Sequence, residues 1–457
     1  MDSGDLFFKA VLAPDHLKEQ WRRQAEFLID QFNQVGCDGI GIGENDFALG
    51  KEELWRFSRK AKFPFISANL VDSTSGKLLF IPYVIKNVGR LKIAIFAVAD
   101  PSLNFPAEIK VLDSVEVSRK LTKELHSKAD VIIALTHQGI LKDEVFAKEV
   151  SGIDLIIAGH DGAKLEIPKK VNQTLILQAY DQGKYTGLLD ADIQKGVHKF
   201  EEKNTFRSNM ASAKVNLFQH FLIPLDQETF GEGDSETYRK VQSFKEEISK
   251  ISVSTELPVK DGEKTSQGNT VEYATYRNCM ECHKTQYHVW KKSKHATAML
   301  PLYIRNQHLN PECIQCHTVG FQKKGGFSSL KEVKNIEPIL DKIAKKYKGS
   351  MIDLRDHQAL DKKLRTEYIN AIEKEKWNKD FMGVQCENCH SAKGVRNSDG
   401  KLLPHFTESG FPKKVVENMC LQCHTPSQSP HFNFLKARRI MGEKGAVAPF
   451  HCRKGTF

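Results

Sequence analysis

Val131-Ile-Ile-Ala-Leu-Thr-His137 decides how the first half of this chain is read. Five successive apolar residues cannot supply the in–out alternation of a sheet with one wet face. They suit a strand covered on both sides, as in a parallel sheet flanked by helices. Similar short runs, rich in Ile, Val and Phe, lie on either side. They cover Gly39–Gly43, Phe63–Leu70, Leu91–Ala99, Leu155–His160 and Thr174–Ala179. Between them, Leu17–Gln34, Val115–Ser127 and Lys142–Val150 carry apolar residues at helical spacing. The alternation predicts an α/β sandwich over residues 1–200.

The character then changes. Polar stretches over 201–268 flank one amphipathic helix, Glu236–Ile251, with Tyr238, Val241, Phe244, Ile248 and Ile251 on one face. This segment reads as a linker. From 269 to 457 regular periodicity fades into a mainly α and irregular domain, interrupted by a charged helical insert at about 330–380.

That last part holds four copies of C-x-x-C-H: Cys279–His283, Cys313–His317, Cys386–His390 and Cys420–His424. Each is the attachment pattern of a c-type haem. Cys279 and Cys282, Cys313 and Cys316, Cys386 and Cys389, and Cys420 and Cys423 would add across the porphyrin vinyl groups. His283, His317, His390 and His424 would lie under the ring as proximal iron ligands. Paired C-x-x-C units can instead build a structural zinc site, but zinc has no need of a His after every second Cys. The remaining cysteines, Cys37 and Cys452, have no obvious partner, and Cys37 reads as a small core hydrophobe.

The totals bound the class. The chain has 457 residues, 40% hydrophobic and 27% charged, a globular composition with room for two or three domains. No run of 18 apolar residues appears, so no membrane span is expected. The formal charge of +10 does not argue for nucleic acid, because four haems would bring about eight propionates that offset much of it. No secretory signal pattern opens the sequence. Covalent haem attachment nonetheless places the expectation outside the cytoplasm, with the leader and a first strand upstream of Met1.

Several segments of residues 1–195 resemble the 5′-nucleotidase branch of the calcineurin-like metallophosphoesterases. Asp2-Ser-Gly-Asp-Leu-Phe7 resembles that family's G-D motif, and Gly43-Glu-Asn-Asp-Phe-Ala-Leu-Gly50 its G-N-H-E-F-D-x-G. Phe65-Ile-Ser-Ala-Asn-Leu70 resembles its S-A-N strand. Ile132-Ile-Ala-Leu-Thr-His-Gln-Gly139 resembles its L-S-H-x-G, and Ile153-Asp-Leu-Ile-Ile-Ala-Gly-His160 the strand ending in G-H-x-H. The resemblance implies a two-metal phosphoesterase with Asp5 as bridging carboxylate and His137 and His160 as metal ligands. The departures imply damage. Without a gap the family's metal-binding Asn falls on Glu44 and its catalytic His on Asn45; a one-residue shift restores Asn45 as a ligand. The last ligand position falls on Gly162. The expectation is a retained scaffold with at most a residual divalent-metal site at Asp5, Asn45, His137 and His160.

The second half resembles tetrahaem cytochromes of the c-554 type. Tyr287-His-Val-Trp-Lys-Lys-Ser-Lys-His-Ala-Thr-Ala298 resembles their W-x-x-S-x-H-A-x-A pattern. Cys313-Ile-Gln-Cys-His-Thr-Val-Gly-Phe321 and Gly383-Val-Gln-Cys-Glu-Asn-Cys-His390 resemble their second and third haem segments. Cys420-Leu-Gln-Cys-His-Thr-Pro-Ser-Gln-Ser-Pro430 resembles the fourth. The resemblance offers His295, His451, His405 and His308 as distal ligands. Ser391-Ala-Lys-Gly-Val-Arg-Asn-Ser398 lacks a His that the family carries there, so one haem is expected to be five-coordinate or to take His405.

The expected function is extracytoplasmic electron transfer through four covalent haems, with periplasmic or membrane-bound redox proteins as partners and an inactive phosphoesterase-like domain. The alternatives are a metal-dependent phosphoesterase or nucleotidase, and a small-molecule redox enzyme at an open haem. A zinc-stapled binding module is a further reading.

Overall fold

The computed structural model describes residues 1–203, 214–226, 229, 233–260, 271–350, 352, 354, 357–375, 380–390, 394–396, 402–404, 417–425, 428–429 and 432–437. The chain divides into two compact units, Met1–Ser235 and Glu236–Phe457.

The first unit opens with helices α1 (Lys18–Val35) and α2 (Lys51–Lys60). Strands β1 (Leu70–Asp72), β2 (Tyr83–Val88), β3 (Leu91–Ala99) and β4 (Ile109–Val111) follow. Then come α3 (Ser114–Leu125), β5 (Val131–His137), α4 (Ile140–Glu149) and β6 (Leu155–Gly159). Strands β7 (Lys169–Val171), β8 (Thr174–Leu177), β9 (Tyr185–Asp192), β10 (Phe200–Glu202) and β11 (Asn216–Pro224) complete it. Six strands form one mixed sheet in the order β2-β3-β5-β6-β8-β7. β3, β5, β6 and β8 run parallel, with antiparallel β2 and β7 at the edges.

The period of two along each central strand sorts the core onto two faces. Ala94, Phe96, Ile132, Ala134 and Ile156 pack with Leu121, Leu125 and Phe146 of the crossover helices. Ile95, Ala97, Ile133, Leu135 and Leu155 pack with Phe200 and Phe218 of the β10-β11-β9 sheet. The seven residues of β5 are all buried, as a strand covered on both faces requires.

Two expected strands shrink. Gly39–Gly43 and Phe63–Leu70 supply only isolated parallel bridges, Asp2 to Ile40, Ile40 to Phe65 and Ile66 to Ile81, apart from Leu70 at the start of β1. Pro64 has no N–H to donate, and three glycines between 39 and 43 give the segment little to pack. The segment 201–268, expected as a linker, supplies β11 to the first unit's three-stranded sheet and a long helix to the second unit.

In the second unit that helix is α5 (Ser235–Ser254). β12 (Val271–Glu272), α6 (Thr275–Cys282), α7 (Lys284–Trp290), α8 (Met299–Ile304) and α9 (Pro311–Ile314) follow. The charged insert is a pair of helices, α10 (Lys331–Ala344) and α11 (Gln358–Lys374). α12 (Cys386–His390), β13 (Gly394–Arg396), β14 (Leu402–Pro404) and α13 (Glu417–Leu421) come after them. Val333, Ile336 and Leu340 of α10 share one core with Leu364, Tyr368 and Ile372 of α11, and with Tyr303 and Phe327. Among the described residues no helix is long and apolar enough to cross a membrane.

Candidate functional site

The parallel strands deliver their carboxyl ends to one edge of the sheet, where α/β folds place ligand chemistry. His137 is the last residue of β5, and His160 follows the last residue of β6. Asp5 and Glu44 reach the same point from the loops after the Asp2 and Ile40 bridges. One ligand atom from each of Asp5, Glu44, His137 and His160 lies within 4.8 Å of the others. His137 Nε2 is 3.2 Å from Asp5 Oδ2, 3.1 Å from Glu44 Oε2 and 3.3 Å from His160 Nδ1. His160 Nδ1 is 3.6 Å from Glu44 Oε1.

These separations suit a cation. Ligands at about 2.1 Å around a tetrahedral ion stand about 3.4 Å apart. His137 Nδ1 sits 3.0 Å from the Ser3 carbonyl, which can only accept. That bond puts the proton on Nδ1 and turns the Nε2 lone pair into the cluster, as in metal-ligating imidazoles. Glu44 is only 8% exposed and turns its carboxylate toward both imidazoles. A buried carboxylate needs such compensation. Two imidazoles and two carboxylates form a donor set for a divalent transition metal.

The electrostatics agree. Burial alone would depress the His137 imidazole, but Asp5 and Glu44 hold it up at about 10. Burial works against ionised Glu44, yet His137 and His160 keep its carboxyl below the usual range.

Local backbone serves the same geometry. Asp5 at φ 59° and His160 at φ 88° are both in the left-handed region, which costs about 1–3 kcal/mol each and persists only where surroundings enforce it. Asp46, 1% exposed, enforces the first. Its carboxylate accepts from the backbone N–H of Asp5 at 2.9 Å, Gly43 at 2.9 Å and Phe7 at 3.2 Å. Burial, then Asp5, pushes the Asp46 carboxyl up to about 7. Gly43 is required by close approach: a Cβ there would collide with Asp5 and come within 2.7 Å of His137 Nε2.

The structure brings Asp5, His137 and His160 together and adds Glu44 as a fourth donor. A 3-10 turn at Asn45–Phe47 swings Asn45 toward Asp5, which takes its backbone N–H at 2.8 Å and its side-chain amide at 2.5 Å. Gly162 supplies no side chain, and the adjacent Asp161 instead accepts from Ile140 N and Gln178 Nε2. The supporting role of Asp46 is not visible in the motif, where it only stands in place of the resembled family's His; the signal for it is its position three residues after Gly43.

In the second unit, Cys279, Cys282, Cys313, Cys316, Cys386, Cys389, Cys420 and Cys423 are all unbridged thiols. His317 and His424 carry support for one ring nitrogen: His317 Nδ1 is 2.5 Å from the Ala298 carbonyl, and His424 Nδ1 is 3.0 Å from Ser429 Oγ. Each arrangement leaves Nε2 for iron. His295 faces His424 with ring centroids 6.1 Å apart. Burial, then His424 and His317, lowers the His295 imidazole. His308 is buried differently, its Nε2 3.0 Å from Glu337 Oε1 and its ring against Tyr303. His283 follows the last residue of α6, and His390 is the last residue of α12. His405 and His451 lie outside the described residues.

Residues 278–339 match the family model described as cytochrome c554 and c-prime. The chain is 32% identical over 208 residues to the uncharacterized metallophosphoesterase YunD of Bacillus subtilis, covering 43% of this chain and 45% of that one. It is 27% identical over 244 residues to a 5′-nucleotidase of Vibrio cholerae, covering 45% and 41%. A 5′-nucleotidase precursor structure from Thermus thermophilus overlaps 57% of this chain and 51% of its own, at 20% identity and a TM-score of 0.44. In sequence, the N-terminal part resembles a metallophosphoesterase and a 5′-nucleotidase. The chain spans less than half the length of these two curated relatives.

Proposed function

We propose that the first unit hydrolyses phosphate esters with a divalent metal held by Asp5, Glu44, His137 and His160. The convergence of these four donors within 4.8 Å of one another carries the reading. A metal there would polarise a phosphoryl oxygen and acidify bound water. The protein's own part is to hold the imidazole lone pairs and carboxylates inward, through the Ser3 carbonyl and the Asp46 carboxylate. The names of the relatives make nucleotides the first substrate class to try. Hydrolysis of bis(p-nitrophenyl) phosphate and of 5′-nucleotides should depend on added Mn²⁺ or Zn²⁺ and be lost in His137→Ala. Tight metal binding with no turnover of either would reduce the site to a metal-holding scaffold.

A second reading belongs to the other unit. The four C-x-x-C-H motifs, the match over residues 278–339 and the supported Nδ1 atoms of His317 and His424 favour covalent haem c. Haem would supply one-electron chemistry, and the chain would work outside the cytoplasm with redox proteins as partners. His295 is then the favoured sixth ligand. A pyridine haemochrome assay on protein from a host equipped for c-type maturation should count about four haems per chain. A colourless protein with bound zinc would replace this reading with the structural-metal one.

A further inference from the structure

A second pair of histidines stands at the opposite end of the main sheet from the four-donor cluster. Asp154, 3% exposed, lies just before β6. The central strands pin it in place. Its Oδ2 accepts from Ile132 N at 2.8 Å, its own N–H donates to the Ile132 carbonyl at 3.0 Å, and its carbonyl accepts from Leu175 N at 3.0 Å. Its other oxygen, Oδ1, meets His198 Nδ1 at 2.9 Å. A carboxylate there holds the proton on Nδ1 and leaves the Nε2 lone pair to a partner from outside, as in a carboxylate–histidine–metal chain. His198 sits partly exposed in the loop between β9 and β10, anchored by buried Val197 and Phe200. His126 caps the C-terminal end of α3 beside fully buried Leu125. The two ring centroids are 5.7 Å apart, with the planes at 36°.

That spacing is the one two imidazoles adopt on a single ion. With metal–nitrogen bonds of about 2.1 Å and tetrahedral or wider angles, the ring centroids stand about 5–6 Å apart. His137 and His160 of the four-donor cluster are 5.0 Å apart. Both lysines of the β9–β10 loop are engaged elsewhere, Lys195 by Asp130 at 3.4 Å and Lys199 by Glu201 at 3.2 Å. We propose that His198 and His126 hold one divalent transition-metal ion, with Asp154 as the positioning residue behind His198. Two nitrogen donors, with water completing the shell, favour Ni²⁺, Cu²⁺ or Zn²⁺ over Mg²⁺ or Ca²⁺. The ion clasps the β9–β10 loop to the end of α3. Five residue steps of β5 separate Ile132, level with Asp154, from His137, about 17 Å at the rise of a parallel strand. The site is therefore distinct from the four-donor cluster, and the inference stands independently of the phosphoesterase reading.

The test reads each histidine separately. The full chain, with any free thiols blocked by N-ethylmaleimide, is treated with diethyl pyrocarbonate near neutral pH across a Ni²⁺ titration. Mass spectrometry of its peptides then gives the modification of every histidine. His126 and His198 should be protected together, at least tenfold and with one midpoint, and a chelator should restore both. His126 is exposed, so His126→Ala spares the core; it should strip His198 of its protection at the same Ni²⁺ concentration. Asp154→Asn should move the midpoint upward about 10- to 100-fold. Protection of His126 and His198 without protection of His137 and His160 would support this site while counting against the first. Protection of His198 that persists in His126→Ala would mean an adventitious ion on a lone imidazole, and unprotected His126 and His198 in the wild type would mean no site; either result overturns the proposal. An unchanged midpoint in Asp154→Asn would overturn the positioning role of Asp154.

Discussion

His137 donates its Nδ1–H to the Ser3 carbonyl, 3.0 Å away, from a ring that is 1% exposed. Ser3 is itself tied down, its hydroxyl donating to the Ile157 carbonyl at 2.6 Å. The loop before Asp5 thereby sets the tautomer of a histidine on β5, and one bond links the position of Asp5 to the direction of the His137 lone pair. This coupling is what makes the four donors a site rather than four strand-end polar residues.

If His137 and Glu44 are ligands and Asn45 is a support, their substitutions should separate. Metal titration by calorimetry should show His137→Ala and Glu44→Ala losing Mn²⁺ or Zn²⁺ affinity beyond measurement. Asn45→Ala removes only the amide bond to Asp5 and should lose about 10- to 100-fold, the usual cost of an outer-shell partner. Equal losses in Asn45→Ala and Glu44→Ala would restore Asn45 as the ligand.

Gly43→Ala tests the close approach. The added methyl collides with the Asp5 carboxylate and crowds His137, so the ligands must spread while the sheet below is untouched. Metal affinity should fall at least 10-fold, with the far-UV circular dichroism of the protein unchanged. Normal metal binding would mean that the loop relaxes and that the tight packing around Gly43 is incidental.

How much of this was legible follows from what each signal measures. Leu91–Ala99, Val131–His137, Leu155–His160 and Thr174–Ala179 could be read because burial on both faces writes itself as a continuous apolar run. Strand β9, half-exposed, and edge strand β2 carry Asn, Lys, Thr and Asp and left no such run. Helix α2 is mostly charged and went unread. In the site, histidines at strand ends stood out, but Glu44 against Asn45 is a choice that a motif cannot make. The 3-10 turn at Asn45–Phe47 sets the Asn45 amide on Asp5, and Asp46 in that turn gathers backbone N–H groups from nearby Gly43 and from distant Asp5 and Phe7.

Asp143 gives the first unit a pH dependence. It is fully buried; Gln138 Nε2 donates to its Oδ1 at 2.8 Å, while its Oδ2 and the nearby Thr136 Oγ1 have no hydrogen-bond partner. Burial pushes its carboxyl up to about 7 from an ordinary 3.8. Below about pH 4 the folded and unfolded chains both hold the proton. Between about 4 and 7 only the folded chain keeps it, so raising the pH erodes stability; above 7 the full cost applies. That cost is at most about 4 kcal/mol. Asp143→Asn removes the titration and offers Thr136 Oγ1 a donor. Denaturant unfolding of the first unit should be flatter with pH in the variant and more stable than wild type at pH 8. An unchanged slope would show that Asp143 is already ionised or solvated in the folded chain.

Glu387 is the corresponding test of the second unit. A helix begins with unpaired N–H groups, and α6 finds its partners not in its own sequence but in a carboxylate from the third motif. Thr275, at φ 63°, would not hold that left-handed conformation without it. Glu387→Ala strands two buried N–H groups, at about 1–3 kcal/mol each. Glu387→Gln keeps one acceptor and should cost less. Hydrogen exchange read at the amides of Ala274 and Thr275 should quicken at least tenfold in Glu387→Ala and by less in Glu387→Gln, with the core around Tyr368 still protected. Protection of those two amides in both variants would mean that the first turn of α6 is capped by water, and that the first and third motifs are held together by β12 and β13 instead.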